Sequence, residues 1–139
     1  MVAEDFALNQ EVIRLMLADT SYEPHFANNG KEAVEIYKSD PDKFAAILMD
    51  ISMPVMDGYQ ASHFIRNIED EHDYSAKPII ALTGHALKHD REKCLSAGMS
   101  DYIAKPIRQE HLLKKLEDHL NTSESLSDAE EKSNILLKG

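Results

Sequence analysis

Cysteine, long apolar runs, basic residues and glycine-rich loops are all scarce in this sequence, and each scarcity removes a class of function. A single cysteine, Cys94, stands among 139 residues. It has no internal partner for a disulfide, which suits a reducing compartment. Its neighbours Arg91, Glu92, Lys93 and Leu95 read as helix, so a small packed side chain is expected there rather than a reactive thiol. No apolar run reaches the length of a membrane-spanning helix. Met1 leads straight into an acidic segment, unlike the basic and then apolar start of a secretory signal. A cytoplasmic location without membrane insertion is the expectation. Lysine and arginine number 15 against 25 aspartates and glutamates, a net charge of −10. Direct nucleic-acid binding is therefore not expected, because phosphate contacts need a basic face. No glycine-rich nucleotide loop occurs, so the chain by itself should not consume ATP. The balance suits a protein that concentrates carboxylates, binds a cation or meets a basic partner.

The most informative stretch runs from Phe44 to Gly58. It opens as an apolar run, the pattern of a strand buried on both faces of a parallel sheet, and stops at Asp50. Pro54 and Asp57-Gly58 then force a loop. Other strand patterns are Val2-Ala3 before Glu4-Asp5, Tyr22 to Ala27, Pro78 to Thr83, and Ser100 to Ala104 before Lys105-Pro106. Helical spacing appears over Asn9 to Ala18, Lys31 to Lys38, Gly58 to Ile68, Ala86 to Ser96 and Arg108 to Leu120. Glu69 to Lys77 reads as a polar connection. Five strands alternating with five helices imply an α/β doubly wound parallel sheet with helices on both faces. Residues 1–120 form the expected domain. Residues 121–139 read as an acidic, serine-rich tail or linker, with a capping pair at Ser127 and Glu130 and a small apolar cluster at Ile135 to Leu137.

The ends of the strands carry the chemistry. Glu4 and Asp5 follow the first, Asp50 ends the third, Thr83 the fourth, and Lys105 follows the fifth. In a doubly wound sheet these ends share one edge. Taken singly, each acid is a cap or a solvated loop residue, Thr83 is a helix cap, and Lys105 is a surface lysine. Taken together, three carboxylates need a cation, and oxygen ligands without histidine or cysteine favour a hard divalent ion, Mg²⁺ foremost and Mn²⁺ next. A lysine and a hydroxyl opposite a metal-bound carboxylate suit stabilisation of a transferring phosphoryl group. The carboxylate can itself be the nucleophile.

The motifs Val2-Ala-Glu-Asp5, Met49-Asp-Ile-Ser-Met-Pro-Val-Met-Asp-Gly58, Ala81-Leu-Thr-Gly-His-Ala86 and Ala97-Gly-Met-Ser-Asp-Tyr-Ile-Ala-Lys-Pro106 carry a resemblance. Over Val2 to Leu120 the chain resembles the receiver domains of two-component response regulators. Asn9 to Val12 and the Ala-Leu-Thr-Gly-His form are most similar to receivers attached to hybrid sensor histidine kinases. The resemblance implies a flavodoxin-like sheet in the order 2-1-3-4-5. It implies that Asp50 accepts a phosphoryl group from a phosphohistidine on a kinase or phosphotransfer partner, with self-catalysed transfer and dephosphorylation. Asp5 and Asp50 would bind Mg²⁺ directly, Glu4 through water, and the backbone carbonyl of Ser52 would complete the shell. Lys105 and Thr83 would hold phosphoryl oxygens, with Lys105–Pro106 in the cis form. Tyr102 matches the switch aromatic, which turns inward as Thr83 moves and so shifts the face of the fourth helix, fifth strand and fifth helix, a possible dimer surface. Ser52 and His85 occupy positions that tune the lifetime of the phosphate. His63, His72, His89, His111 and His119 read as surface residues.

One departure stands out. Members of this family carry several apolar residues before the acidic pair, and here only Met1, Val2 and Ala3 precede it. An interior strand so short is expected to cost core burial and ladder hydrogen bonds. Weak Mg²⁺ binding and marginal stability follow as expectations, with Ile135 to Leu137 as the one spare apolar segment to fill the gap. Three other readings remain open: an aspartate-nucleophile phosphatase, which would want a second acid where Ser52 stands; a flavin carrier, whose phosphate the Glu4-Asp5 pair would repel; and an interaction module independent of phosphorylation.

Overall fold

The computed structural model describes residues 1–84 and 88–120, and the side chains of Lys88 and His89 also fall outside its description. His85 and the tail from 121 to 139 therefore lie outside the described residues. Five strands form one parallel sheet: β1 (Val2–Ala3), β2 (Phe26–Ala27), β3 (Ile47–Asp50), β4 (Ile79–Thr83) and β5 (Asp101–Ala104). Five helices alternate with them: α1 (Ala7–Leu17), α2 (Gly30–Ser39), α3 (Gly58–His72), α4 (Lys88–Ser96) and α5 (Gln109–Leu120). The strand order is β2-β1-β3-β4-β5, as expected. All pairs are parallel, with Asp50 in register with Leu82, and Thr83 with Ala104.

The core is where the apolar runs meet. Every residue of β3 and β4 is buried. Ile13 and Leu17 of α1, Ala33 and Tyr37 of α2, Ile65 of α3 and Leu112 and Leu116 of α5 pack on them. α4 contributes least, and Cys94 is its one buried side chain among those described, as the sequence led us to expect.

β1 is as short as expected, yet its backbone is well served. Val2 N donates to His25 O at 2.8 Å, Glu4 N to Ala27 O at 2.9 Å, and Leu48 N to Met1 O at 2.8 Å. Met1, Val2 and Ala3 have no exposed surface. The Met1 amino group donates to Ala46 O at 2.9 Å inside the core. Burial holds its pKa well below the ordinary 8.0.

Three elements differ from their sequence patterns by more than two residues, and of these β3 begins at Ile47 rather than Phe44. β2 begins at Phe26 rather than Tyr22, because Pro24 has no N–H for the ladder. α3 continues to His72, so Glu69 belongs to the helix and not to a polar connection. Its carboxylate is buried and accepts from Tyr37 Oη at 2.7 Å, Arg66 Nη1 at 2.7 Å and Lys77 N at 2.9 Å. Arg66 Nε also donates to Gly98 O at 2.8 Å, joining α3 to the turn before β5. A glutamate with three donors satisfies the demand of a buried charge, which composition alone does not reveal.

Candidate functional site

The loop after β3 is built to hold Asp50 still. Asp57 caps α3 through a reciprocal pair with Gln60, its side chain accepting from Gln60 N at 2.9 Å. Gly58 N donates to Ile51 O at 2.9 Å, and a Cβ on Gly58 would lie 2.4 Å from the Asp50 carbonyl oxygen. Only glycine permits that approach. Within the loop Val55 holds φ at 70°, a costly conformation for a β-branched residue.

At the C-terminal edge of the sheet, Glu4 and Asp50 are buried and Asp5 is exposed. One carboxylate oxygen from each of the three lies within 4.8 Å of the others. Lys105 Nζ donates to Asp50 Oδ2 at 2.8 Å and stands 3.6 Å from Glu4 Oε1. Ser52 N donates to Asp50 Oδ1 at 3.1 Å. Lys105 N donates to Thr83 O at 2.7 Å, which ties the start of the β5–α5 loop to the end of β4. The Lys105–Pro106 peptide is cis, as expected. The structure thus brings Glu4, Asp5, Asp50, Ser52 and Lys105 together, with Thr83 buried at the adjacent strand end.

The charges are strongly coupled. Burial, and then Asp50 beside it, push the Glu4 carboxyl from 4.5 up to about 7. Burial opposes protonation of Lys105, but the Asp50 and Glu4 carboxylates outweigh it and raise its pKa. One ammonium for three carboxylates leaves an excess of negative charge in a site that offers only oxygen ligands. That donor set fits a hard divalent cation. The buried carboxylate with a lysine on one oxygen and a backbone N–H on the other is suited to nucleophilic attack on an electrophilic phosphorus.

Tyr102 is half-buried on β5, in register with Ala81, the residue before Asp50's partner Leu82. Its hydroxyl accepts from Arg91 Nη2 at 3.0 Å, and the guanidinium lies 5.4 Å from the ring centroid. His63, His72 and His111 are exposed, as expected. His119 is not a free surface residue. Its Nε2 lies 2.9 Å from Asp101 Oδ2, and Asp101 also accepts from Lys115 Nζ at 2.9 Å. Burial raises the Asp101 pKa, but His119 and Lys115 outweigh it and the net shift is downward. Sequence reasoning also passed over two amides that hold Glu4, those of Asn9 and Gln10. Both entered the sequence reading only through the resemblance carried by Asn9 to Val12, with no role at Glu4.

Residues 1–117 match the response regulator receiver domain. The chain belongs to that family. It is 41% identical over 110 residues to hybrid signal transduction histidine kinase I of Dictyostelium discoideum, which covers 77% of this chain but 6% of that protein. Among solved structures, the receiver domain of sensor histidine kinase PA1611 from Pseudomonas aeruginosa PAO1, with magnesium in its active-site cleft, is 40% identical. It superposes with a TM-score of 0.75 over 87% of this chain and 95% of that one. A chain of the Saccharomyces cerevisiae complex between the histidine phosphotransfer protein Ypd1 and the receiver domain of Ssk1 matches at 31% identity. Its TM-score is 0.78, over 85% of each chain. Family membership sets aside the phosphatase and the flavin carrier. This receiver domain spans a small part of the kinase it matches, and no described helix is long and apolar enough to cross a membrane.

Proposed function

We propose that this receiver domain takes a phosphoryl group onto Asp50 from a phosphohistidine on a histidine kinase or histidine phosphotransfer protein. The observation that carries this reading is the buried Asp50, with Lys105 Nζ 2.8 Å from one oxygen and two further carboxylates beside it. In the transfer the donor's P–N bond breaks as a P–O bond to the Asp50 carboxylate forms, and the electron pair returns to the imidazole nitrogen. Asp5 and Asp50 would hold Mg²⁺ or Mn²⁺ directly, with Glu4 acting through water and Ser52 through its carbonyl. The bound cation would neutralise the carboxylates and draw charge from the phosphoryl oxygens. Lys105 leaves its present carboxylate partners for a phosphoryl oxygen, and the Thr83 hydroxyl takes another.

The output follows from the same groups. Movement of Thr83 makes room for Tyr102, which must first give up Arg91. The rotation shifts the populations of the α4–β5–α5 face, a surface through which a second copy could bind. The cytoplasm is the compartment where such a relay would run. Residues 1–120 act as the folded unit, and 121–139 as its acidic tail or linker. Incubation with a phosphorylated histidine phosphotransfer protein and Mg²⁺ tests the reading. Phosphate should leave the donor for this chain and remain on the donor when Asp50→Asn is used. Transfer to Asp50→Asn at the wild-type rate would contradict it.

A further inference from the structure

We infer that Asn9, in the first turn of α1, is the positioning residue that keeps Glu4 aimed at the cation and Lys105 committed to Asp50. The inference rests on the proposed function. Glu4 and Asp50 compete for one ammonium, and the competition is close: Lys105 Nζ lies 2.8 Å from Asp50 Oδ2 and 3.6 Å from Glu4 Oε1. Asn9 Nδ2 donates to that same Glu4 Oε1 at 2.9 Å. Phe6 N holds the other oxygen at 3.3 Å. The Glu4 carboxylate is therefore satisfied without the lysine.

A neutral amide is the side chain this task requires. A lysine or arginine in place of Asn9 would cancel the negative charge that attracts a cation. An aspartate could not donate, and an apolar residue would leave a buried carboxylate oxygen to be claimed by Lys105. Asn9 also lines a cleft of about 190 Å³ with Val12, Lys105, Pro106 and Ile107, so its amide stands beside the ammonium it relieves. The neighbouring Gln10 fixes the backbone at the same point. Its Nε2 donates both to Glu4 O and, at 3.0 Å, to Asn28 Oδ1, linking the end of β1 to the residue after β2. Asn9 orients the side chain and Gln10 the main chain. Asn9 itself touches neither Asp50 nor the transferring group.

Mg²⁺ affinity measured by calorimetry, together with metal-free thermal unfolding, tests the inference on Asn9→Leu, Asn9→Ser and, as a control on the same helix, Leu15→Ala. Loss of an outer partner of a direct metal ligand lowers affinity by about tenfold or more; Asn9 stands one step further out, behind a carboxylate that acts through water, so a loss of about threefold to tenfold is expected. Both Asn9 variants should show that loss, and Leu15→Ala should bind like wild type. Phosphorylation by phosphoramidate should slow in the Asn9 variants, because Lys105 is drawn toward Glu4. A lowered melting temperature with unchanged Mg²⁺ affinity would reduce Asn9 to a structural role and overturn the inference. Wild type that binds Mg²⁺ and takes up phosphate, beside Asn9 variants that do both equally well, would overturn it alone. Wild type that does neither would overturn the proposed function as well.

Discussion

Glu4 and Asp50 lie close enough that burial and mutual repulsion push Glu4 up to about 7, well above the 4.5 of a free glutamate. A cation that needs Glu4 ionised must displace a proton around neutral pH. Mg²⁺ affinity should therefore fall as pH drops below about 7, and binding near pH 7 should release protons, seen as a buffer-dependent heat in calorimetry. Asp50→Asn removes the neighbour that raises Glu4 through both a hydrogen bond and its charge. The Glu4 carboxyl should then titrate lower, which carboxyl NMR reads directly; an unmoved Glu4 would show that burial alone sets it.

At the scale of elements, the strand ends were legible because each interrupts an apolar run with a polar group. That logic found Asp50, Thr83 and Lys105, and the joint pattern found Glu4 and Asp5. It failed where polarity serves the interior. Glu69 spells a loop in sequence and is instead the buried acceptor for Tyr37, Arg66 and Lys77 N. Asn9 and Gln10 are neutral residues at helical positions, and only the fold brings their amides onto Glu4. Gly58 shows the opposite case, a residue whose role was read correctly as a turn but whose tightness was invisible. Its missing Cβ leaves room for the Asp50 carbonyl 2.4 Å from where that atom would stand. Gly58→Ala should cost about 1–3 kcal/mol in denaturant unfolding, since the clash is with backbone. It should also slow phosphorylation by displacing Asp50. A variant as stable and as active as wild type would mean the loop is pliable.

For the molecule as a whole, β1 is both the shortest interior element and the one that delivers two of the three cluster acids. Those acids make β1 a source of pH dependence, since the folded chain holds an extra proton on Glu4 between 4.5 and about 7. The contribution of this group to stability is fully present below about 4.5 and is lost as pH rises through about 7. Metal-free unfolding should therefore show this contribution falling between about pH 5 and 7.5 in wild type and missing in Glu4→Gln; the same pH dependence in both would contradict it.

The central claim is that the sheet edge makes Asp50 a phosphoacceptor. Intact mass spectrometry after incubation with Mg²⁺ and phosphoramidate tests it most directly. Wild type should gain a single phosphoryl group, lost on standing at alkaline pH, and Asp50→Asn should gain none. An equal adduct on Asp50→Asn, or none on a wild type that has been shown to bind Mg²⁺, would contradict the account.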